Sequence, residues 1–411
     1  MILNFVSRTF MVALVGVCSI YATHAEDWSQ WRGPTRDGIS PETKWSTQWP
    51  AEGPTILWKT NVGMGLSSIV AASGRVFTMG NSENTDTVFA FDAVSGKPLW
   101  KHSYPADLGD KYFEGGTTGT PTAEGEYVYT LSRWGDVFCF QASDGKIIWN
   151  RNVQTETGAR LPSWGFTGAP LIHGEMLLLN VGEAGLALDK SNGKTLWQSS
   201  TKESGYTTPV PWSQGGKSQV VFSSSQSYIG VEAASGKELW RMKWVTQYGV
   251  NAADPVIDGD RLFISSGYGK GNVLIKPLPE GEPEVIWKNK ALRTQMNAAV
   301  LFGNHLYGVD GDTTEKPLLK CIELSTGTEK WSDATSGARG LLIANNQLII
   351  LGEKGELIIA PATPKGYKPT ARTQVLGGKS WTAPVLANGL LFCRNSRGDL
   401  VSVDLRTAPT K

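Results

Sequence analysis

FDAVSGKPLW (residues 91–100) is the first of five near-copies of one pattern. The others are FQASDGKIIW (140–149), LDKSNGKTLW (188–197), VEAASGKELW (231–240) and IELSTGTEKW (322–331). In each, an acidic residue or Gln stands eight positions before a Trp, with a turn glycine midway: Asp92–Gly96–Trp100, Gln141–Gly145–Trp149, Asp189–Gly193–Trp197, Glu232–Gly236–Trp240 and Glu323–Gly327–Trp331. A period of this length means one supersecondary unit stacked many times.

Between the Trp markers lies a second recurring element, a short strand, a Gly or Asn turn, then an apolar strand. Its eight copies turn at Gly74, Gly125, Gly174, Gly216, Gly259, Gly303, Asn346 and Gly389, at successive intervals of 51, 49, 42, 43, 44, 43 and 43 residues. Each interval holds four short strands and their turns, which is one propeller blade. The fold class read from this is all-β: an eight-bladed β-propeller of four-stranded antiparallel blades. No window shows sustained apolar spacing at three and four residues, and the 47 Gly and 21 Pro also argue for turn-rich β structure.

Turn chemistry orders the strands within a blade. The inner strand carries Pro121, Pro170, Pro209, Pro255 or Pro384 in most copies, suiting an edge that faces the central channel because Pro has no ladder donor. The third strand alternates large and small, as in Phe89-Ala90-Phe91 and Phe138-Cys139-Phe140, the period-two pattern of a strand packed between sheets. A Gly hairpin then leads to the outer strand, which the Trp is expected to end. The weakest outer-strand signals are Ile286-Trp287 and Gln374-Val375. The last unit supplies only three strands, through GDLVSVDL (398–405), and TILWKT (55–60) offers the fourth, with Trp58 in the marker position. The N-terminal strand is therefore expected to join the last blade and close the ring, leaving no long exposed edge.

Residues 1–25 read as a secretory signal peptide: Arg8 is the only charge, Phe10 to Tyr21 are mostly apolar, and Thr23-His24-Ala25 offers small residues for cleavage. The apolar run falls short of the roughly 20 residues that span a bilayer, so no transmembrane helix is expected after signal removal. Val17 before Cys18 does not suit a lipidation signal. The expected location is periplasmic or secreted. Residues 26–53 form a Trp-rich lead segment, and residues 54–411 the propeller. The lead's Trp28, Trp31, Arg32, Asp37, Trp45 and Trp49 read either as a contact for a carbohydrate or partner, or as a segment packed on the propeller's side or end. The second is favoured, since several exposed Trp would form a patch that soluble proteins avoid.

Without residues 1–25, which hold one of the 39 basic residues and none of the 38 acidic, the count is 38 against 38. That balance offers no footprint for nucleic acid. Of the remaining Cys139, Cys321 and Cys393, the first two share a small-residue slot in blades that are not neighbours and read as buried core thiols rather than a disulfide. Asp310 and Asp312 are spaced like the start of a calcium loop but lack its continuation. GYGKG (267–271) and VGMGLSS (62–68) open no helix and read as turns rather than phosphate loops. His102, His173 and His305 fall in three different blades, and no G-x-S-x-G elbow occurs. No catalytic residue and no metal site is assigned.

The D-x-x-[ST]-G-K-x-x-W units resemble the tryptophan-docking repeats of the quinoprotein (PQQ) propeller superfamily, over about Trp58 to Asp404. One branch holds PQQ-dependent alcohol and sugar dehydrogenases. The other is the non-catalytic branch typified by BamB, the propeller of the bacterial outer-membrane assembly machine, together with exported proteins of unassigned role. The lead DWSQWRGPTRDGIS looks most like that last group. The dehydrogenase branch implies PQQ on the channel axis beside Ca²⁺. Such a site needs six or more oxygen ligands, including carboxylates. The loops entering the inner strands supply few acids, mainly Asp107, Asp110, Glu114 and Glu156, and the adjacent-cysteine pair of several members is absent.

The BamB branch implies a loop face that binds a partner protein without chemistry. The expectation is thus an exported, non-enzymatic propeller, without a cofactor, that binds a cell-envelope protein or a small ligand. PQQ with Ca is the alternative. The ligand would meet the funnel where inner strands begin, at Arg160, Trp164, Tyr206, Tyr248, Asn251, Arg293, Gln295, Lys379 and Trp381.

Overall fold

The computed structural model describes residues 27–407; the expected signal peptide, with Cys18, lies outside them. Among the described residues there are eight sheets. Blades 1 to 6 are four-stranded and span residues 70–105, 122–152, 171–198, 210–243, 256–289 and 300–333. Blade 7 (338–374) gains a fifth strand from the lead, Ile39–Ser40, pairing in parallel with Ile343 and Ala344. Blade 8 takes three strands from residues 385–404 and its outer strand, Ile56–Asn61, from the N-terminal side, antiparallel to Asp399–Asp404. The ring closes as the sequence implies. Both weak outer strands form, as Glu284–Asn289 and Ala371–Gln374.

Two details differ from the sequence reading. The inner-strand prolines stand one residue before their strands, as Pro121 before Thr122–Glu124 and Pro255 before Val256–Asp258. There the missing N–H costs no ladder bond. Nor does the Trp end its strand. Trp100 is the third residue of Pro98–Pro105 and Trp149 the third of Ile147–Asn152. A register shift lies beside each Trp in these pairings, re-aiming the indole toward the next blade as bulges do.

The indole accounts for the glycine in the repeat. Trp58 of blade 8 donates to the Ala93 carbonyl of blade 1 at 3.0 Å, Trp100 to Ala142 of blade 2 at 2.9 Å, and Trp149 to Lys190 of blade 3 at 2.9 Å. Trp197, Trp287 and Trp331 reach Ala233, Leu324 and Thr363 of their next blades in the same way. Each pin lies over the next blade's hairpin: a methyl group at Gly96 would stand 2.5 Å from the Trp58 ring, and one at Gly145 2.6 Å from the Trp100 ring. The turn needs Gly for its positive φ and the neighbour needs it for room.

Two joints depart from this rule. Trp240 turns into its own blade, onto Gln219, and Trp212 of blade 4 donates to Gly259 of blade 5 instead. Blade 7 has no Trp in its outer strand. That joint is crossed by the lead segment, which pairs with blade 7 at Ile39–Ser40 and then reaches blade 8. There the Glu42 carboxylate accepts from Gly389 N at 2.7 Å and buried Trp45 bridges to Arg406.

The joint between blades 8 and 1 has a second fastening. Arg394 is fully buried and donates to the carbonyls of Ser67 (2.7 Å), Met79 (2.7 Å) and Gly63 (3.3 Å) and to Thr78 Oγ1 (3.0 Å). Burial pushes its guanidinium down to about 10, still charged at neutral pH. Replacing it leaves several buried acceptors unpaired, at about 1–3 kcal/mol each. Arg394→Met is expected to lower unfolding free energy by about 3 kcal/mol or more, measured by urea titration. A loss below about 1 kcal/mol would mean the seam does not rely on it.

Candidate functional site

The eight inner strands surround a channel, and the lead segment stops one end of it. Trp28 bridges Ala71 of blade 1, and Ser29 O accepts from Ala123 N of blade 2. Arg36 donates to Ile172 O of blade 3. Arg32 donates to the carbonyls of Ala298 (3.0 Å) and Ala299 (2.8 Å), beside blade 6, and to those of its own loop at Arg36 and Asp37. Burial lowers its pKa, with Asp254 and Asp37 opposing. The Trp28 and Trp45 side chains are buried. The segment is therefore folded into the ring.

What remains is a funnel of about 970 Å³, closed at the lead segment and walled by the loops that enter the inner strands. At the floor Trp31 Nε1 donates to Asp254 Oδ2 at 2.6 Å, while Thr208 N donates to Oδ1 at 2.8 Å. Asp254 is buried. Desolvation raises its pKa, against Arg32 and the Trp31 and Thr208 bonds.

The mouth is partly roofed by the connection between blades 1 and 2. Arg133 of blade 2 holds it from beneath, donating to Leu108 O (3.0 Å), Gly109 O (3.1 Å) and Trp164 O (3.1 Å), with its guanidinium 4.9 Å from the Phe113 ring centroid. Across the funnel Lys379 bonds Glu114 at 2.7 and 2.9 Å, and its ammonium lies 3.4 Å from the Trp381 ring centroid. Desolvation works against the Glu114 carboxylate, but the Lys379 and backbone bonds hold it below its ordinary value. Trp164 meets Tyr112 at 5.6 Å and Tyr206 edge-on at 5.8 Å.

Five of the residues nominated from the sequence line this cavity: Trp164, Tyr206, Gln295, Lys379 and Trp381. The other four lie outside its wall. The Arg160 side chain is 76% exposed and faces Glu203. Arg293 is held by Asp310 and Glu315. Asn251 is fully buried, donating to Ser224 O and Trp244 O at 2.9 Å, and braces the backbone between blades 4 and 5. Tyr248, 64% exposed, stands on the rim edge-on to the cavity-lining Tyr268. Tyr248 and Tyr268 both have positive φ, 62° and 51°, a conformation costly for bulky residues.

Sequence reasoning missed Asp254, Trp31 and Tyr268 as wall residues. A signal for Asp254 existed: it precedes Pro255 where the other blades have Thr120, Ala169, Thr208 and Ala383 before proline. It is the one charge in that register. Tyr268 sat in a segment read only as a turn. The three histidines do not converge: His102 packs on Phe138 and Phe140, His173 meets Ser218, and His305 meets Gly303 O. Cys139, Cys321 and Cys393 are buried and free.

Removing the Trp31 donor tests the floor. In Trp31→Phe, Asp254 Oδ2 loses its partner, so its folded pKa rises further above the unfolded value. A raised carboxyl pKa costs stability progressively as pH climbs from the unfolded toward the folded value. The variant's deficit is expected to grow as pH climbs from the parent's folded Asp254 pKa toward the variant's higher one, levelling about 1–3 kcal/mol above its acid value, read from denaturant titrations across a pH series. A deficit constant with pH would contradict the Trp31–Asp254 link.

A family profile described as outer membrane protein assembly factor BamB matches residues 84–333, and the chain belongs to that family of PQQ-like propellers. No curated protein matches it. Among solved structures, BamB from Moraxella catarrhalis is similar at a TM-score of 0.65 and 14% identity, covering 86% of this chain and 100% of that one. The quinohemoprotein alcohol dehydrogenase ADHIIG from Pseudomonas putida HK5 is similar at 0.63 and 13%, covering 94% and 81%. The corresponding enzyme from Comamonas testosteroni gives 0.63 and 13%, covering 94% and 82%. At these identities the likeness is one of fold, shared by BamB and by alcohol dehydrogenases alike.

Proposed function

We propose that this chain is an exported, non-enzymatic binding propeller that docks a partner protein of the cell envelope across its funnel mouth. The observation that carries this is the one-ended hub: the lead segment closes the far side, so the cavity presents a recessed socket to a single face. Aromatic side chains stand around that mouth, with Tyr112 55% and Tyr248 64% exposed. Rigid aromatics beside a pocket are the residues that anchor protein interfaces. The strained backbones of Tyr248 and Tyr268 support a functional reading of the rim. The family description supports a partner protein, and among the described residues no helix is long and apolar enough to cross a membrane.

The quinone–calcium alternative asks for a cluster of carboxylates and for cations to meet the cofactor's three carboxylates. Among the described residues no three His, Cys, Asp or Glu gather as ligands. Of the funnel's carboxylates, Glu114 is engaged by Lys379 and Asp254 by Trp31 and Thr208. Among the described residues Lys379 is the one cationic side chain in the cavity wall. These residues do not fit that pair.

A photo-reactive amino acid at position 112 is expected to give one dominant adduct in intact cells, and the same group at Leu196, on the outer edge of blade 3, none. Adducts from 196 alone would move the working surface to the rim of the wheel. Dye-linked oxidation of alcohols or aldoses, appearing only with added PQQ and Ca²⁺, would replace this reading with the enzymatic one.

A further inference from the structure

We infer that the funnel is built to receive an organic cation, an ammonium or guanidinium group; this rests on the proposal that the funnel mouth is the working face. Three carboxylates, Asp110, Glu114 and Asp254, line the cavity against one ammonium, Lys379. Arg32 lies behind the floor with its donors spent on backbone carbonyls. It offsets Asp254 in part, and the wall keeps an excess of acid. Lys379 is engaged by Glu114, so an anion entering here finds no free donor cation.

The rest of the wall suits the same charge. Tyr112, Phe113, Trp164, Tyr206, Tyr268 and Trp381 supply aromatic surface, and ring faces attract cations, most strongly where water is excluded. The chain itself displays the arrangement. The Lys379 ammonium lies over the Trp381 ring with Glu114 as its counter-ion. Trp164, Tyr206, Tyr268 and Asp254 line the same funnel, and Lys379 is its one lining cation among the described residues.

An independent observation points to a ligand there. Gln295 lines the cavity, is only 8% exposed, and its Oε1 is buried with no hydrogen-bond partner among the described residues. Unpaired buried acceptors are costly and rare, so this oxygen is short of a donor. Nearby, Asn297 spends its Nδ2 on Arg339 O (2.8 Å) and Trp381 O (2.9 Å), so its side-chain oxygen is left as an acceptor. A cation brings donors and lacks acceptors, and this wall is its complement.

The cation has two sources of identical chemistry, a free amine or a Lys or Arg side chain inserted by the docked partner. The probe is Nα-acetyl-lysine-N-methylamide, titrated into the full chain by calorimetry, with its Nε-acetylated form and citrate as neutral and anionic comparisons. Binding of the lysine probe alone, weakened by salt as a charge interaction is, is expected. Gln295→Leu and Trp164→Ala are expected to weaken it about tenfold or more, the loss of one buried contact. Gln295→Glu, which adds a carboxylate, is expected to tighten it, an outcome that misfolding cannot mimic.

Equal or stronger binding of the acetylated probe or citrate overturns the inference, as does no binding of the lysine probe or weaker binding by Gln295→Glu. If the lysine probe fails while the cross-link from position 112 persists, the docking face stands and the cation falls. If the probe binds but no cross-link forms, the docking face falls and a free amine is the source. Loss of the cross-link on substituting a Lys or Arg of the captured partner assigns the cation to that side chain.

Discussion

One contact repeated around the ring sets the rest of the molecule: an indole laid on the next blade's glycine hairpin, its N–H bonded to that blade's backbone. An isolated four-stranded blade has two apolar faces and cannot bury either alone. The pin fixes how far each sheet rotates against its neighbour. The core clusters that follow mix residues of adjacent blades, as Phe77, Val88 and Trp100 with Val128, Phe138 and Phe140. The eight joints must return to the start, so each has to be held for the ring to close. This is why the two joints that lack the standard pin are each fastened another way, by Trp212 and by the lead segment.

The lead segment therefore has two consequences from one path. It straps blade 7 to blade 8, and in reaching that joint it crosses the inner strands of other blades and stops the channel. Arg32 and Trp31, spent on backbone and on Asp254, are the chemistry of the stopper. A propeller hub open at both ends offers a passage; this one offers a socket. The loops at the remaining mouth are then free to vary without disturbing the pins, which lie on the outer strands. The separation keeps the pins on the outer strands and the funnel loops at the hub.

Blade number and closure were legible because they rest on local turn chemistry repeated many times. Gly96 and Trp100 declare themselves in a decapeptide, and Trp58 matches the same template. The funnel was legible only in part. Trp164, Tyr206, Gln295, Lys379 and Trp381 face the cavity because loops entering inner strands must end at the hub. Asn251 and Arg293 come from the same loops, yet their side chains turn to backbone carbonyls and to Asp310. Which way a loop side chain points is a tertiary matter, and no period in the sequence encodes it. That the lead packs on the propeller was legible from its tryptophans, but which strands it meets was not. Trp28 and Arg32 find partners more than forty residues away, in strands whose placement depends on the closed ring.

The claim most open to direct test is that the lead segment fastens the joint without a tryptophan pin. Native-state hydrogen exchange on Trp45→Ala should show faster exchange in residues 338–374 and 385–404, with blades 2 to 5 unchanged. Faster exchange spread evenly over all eight blades, or none in blades 7 and 8, would contradict the account.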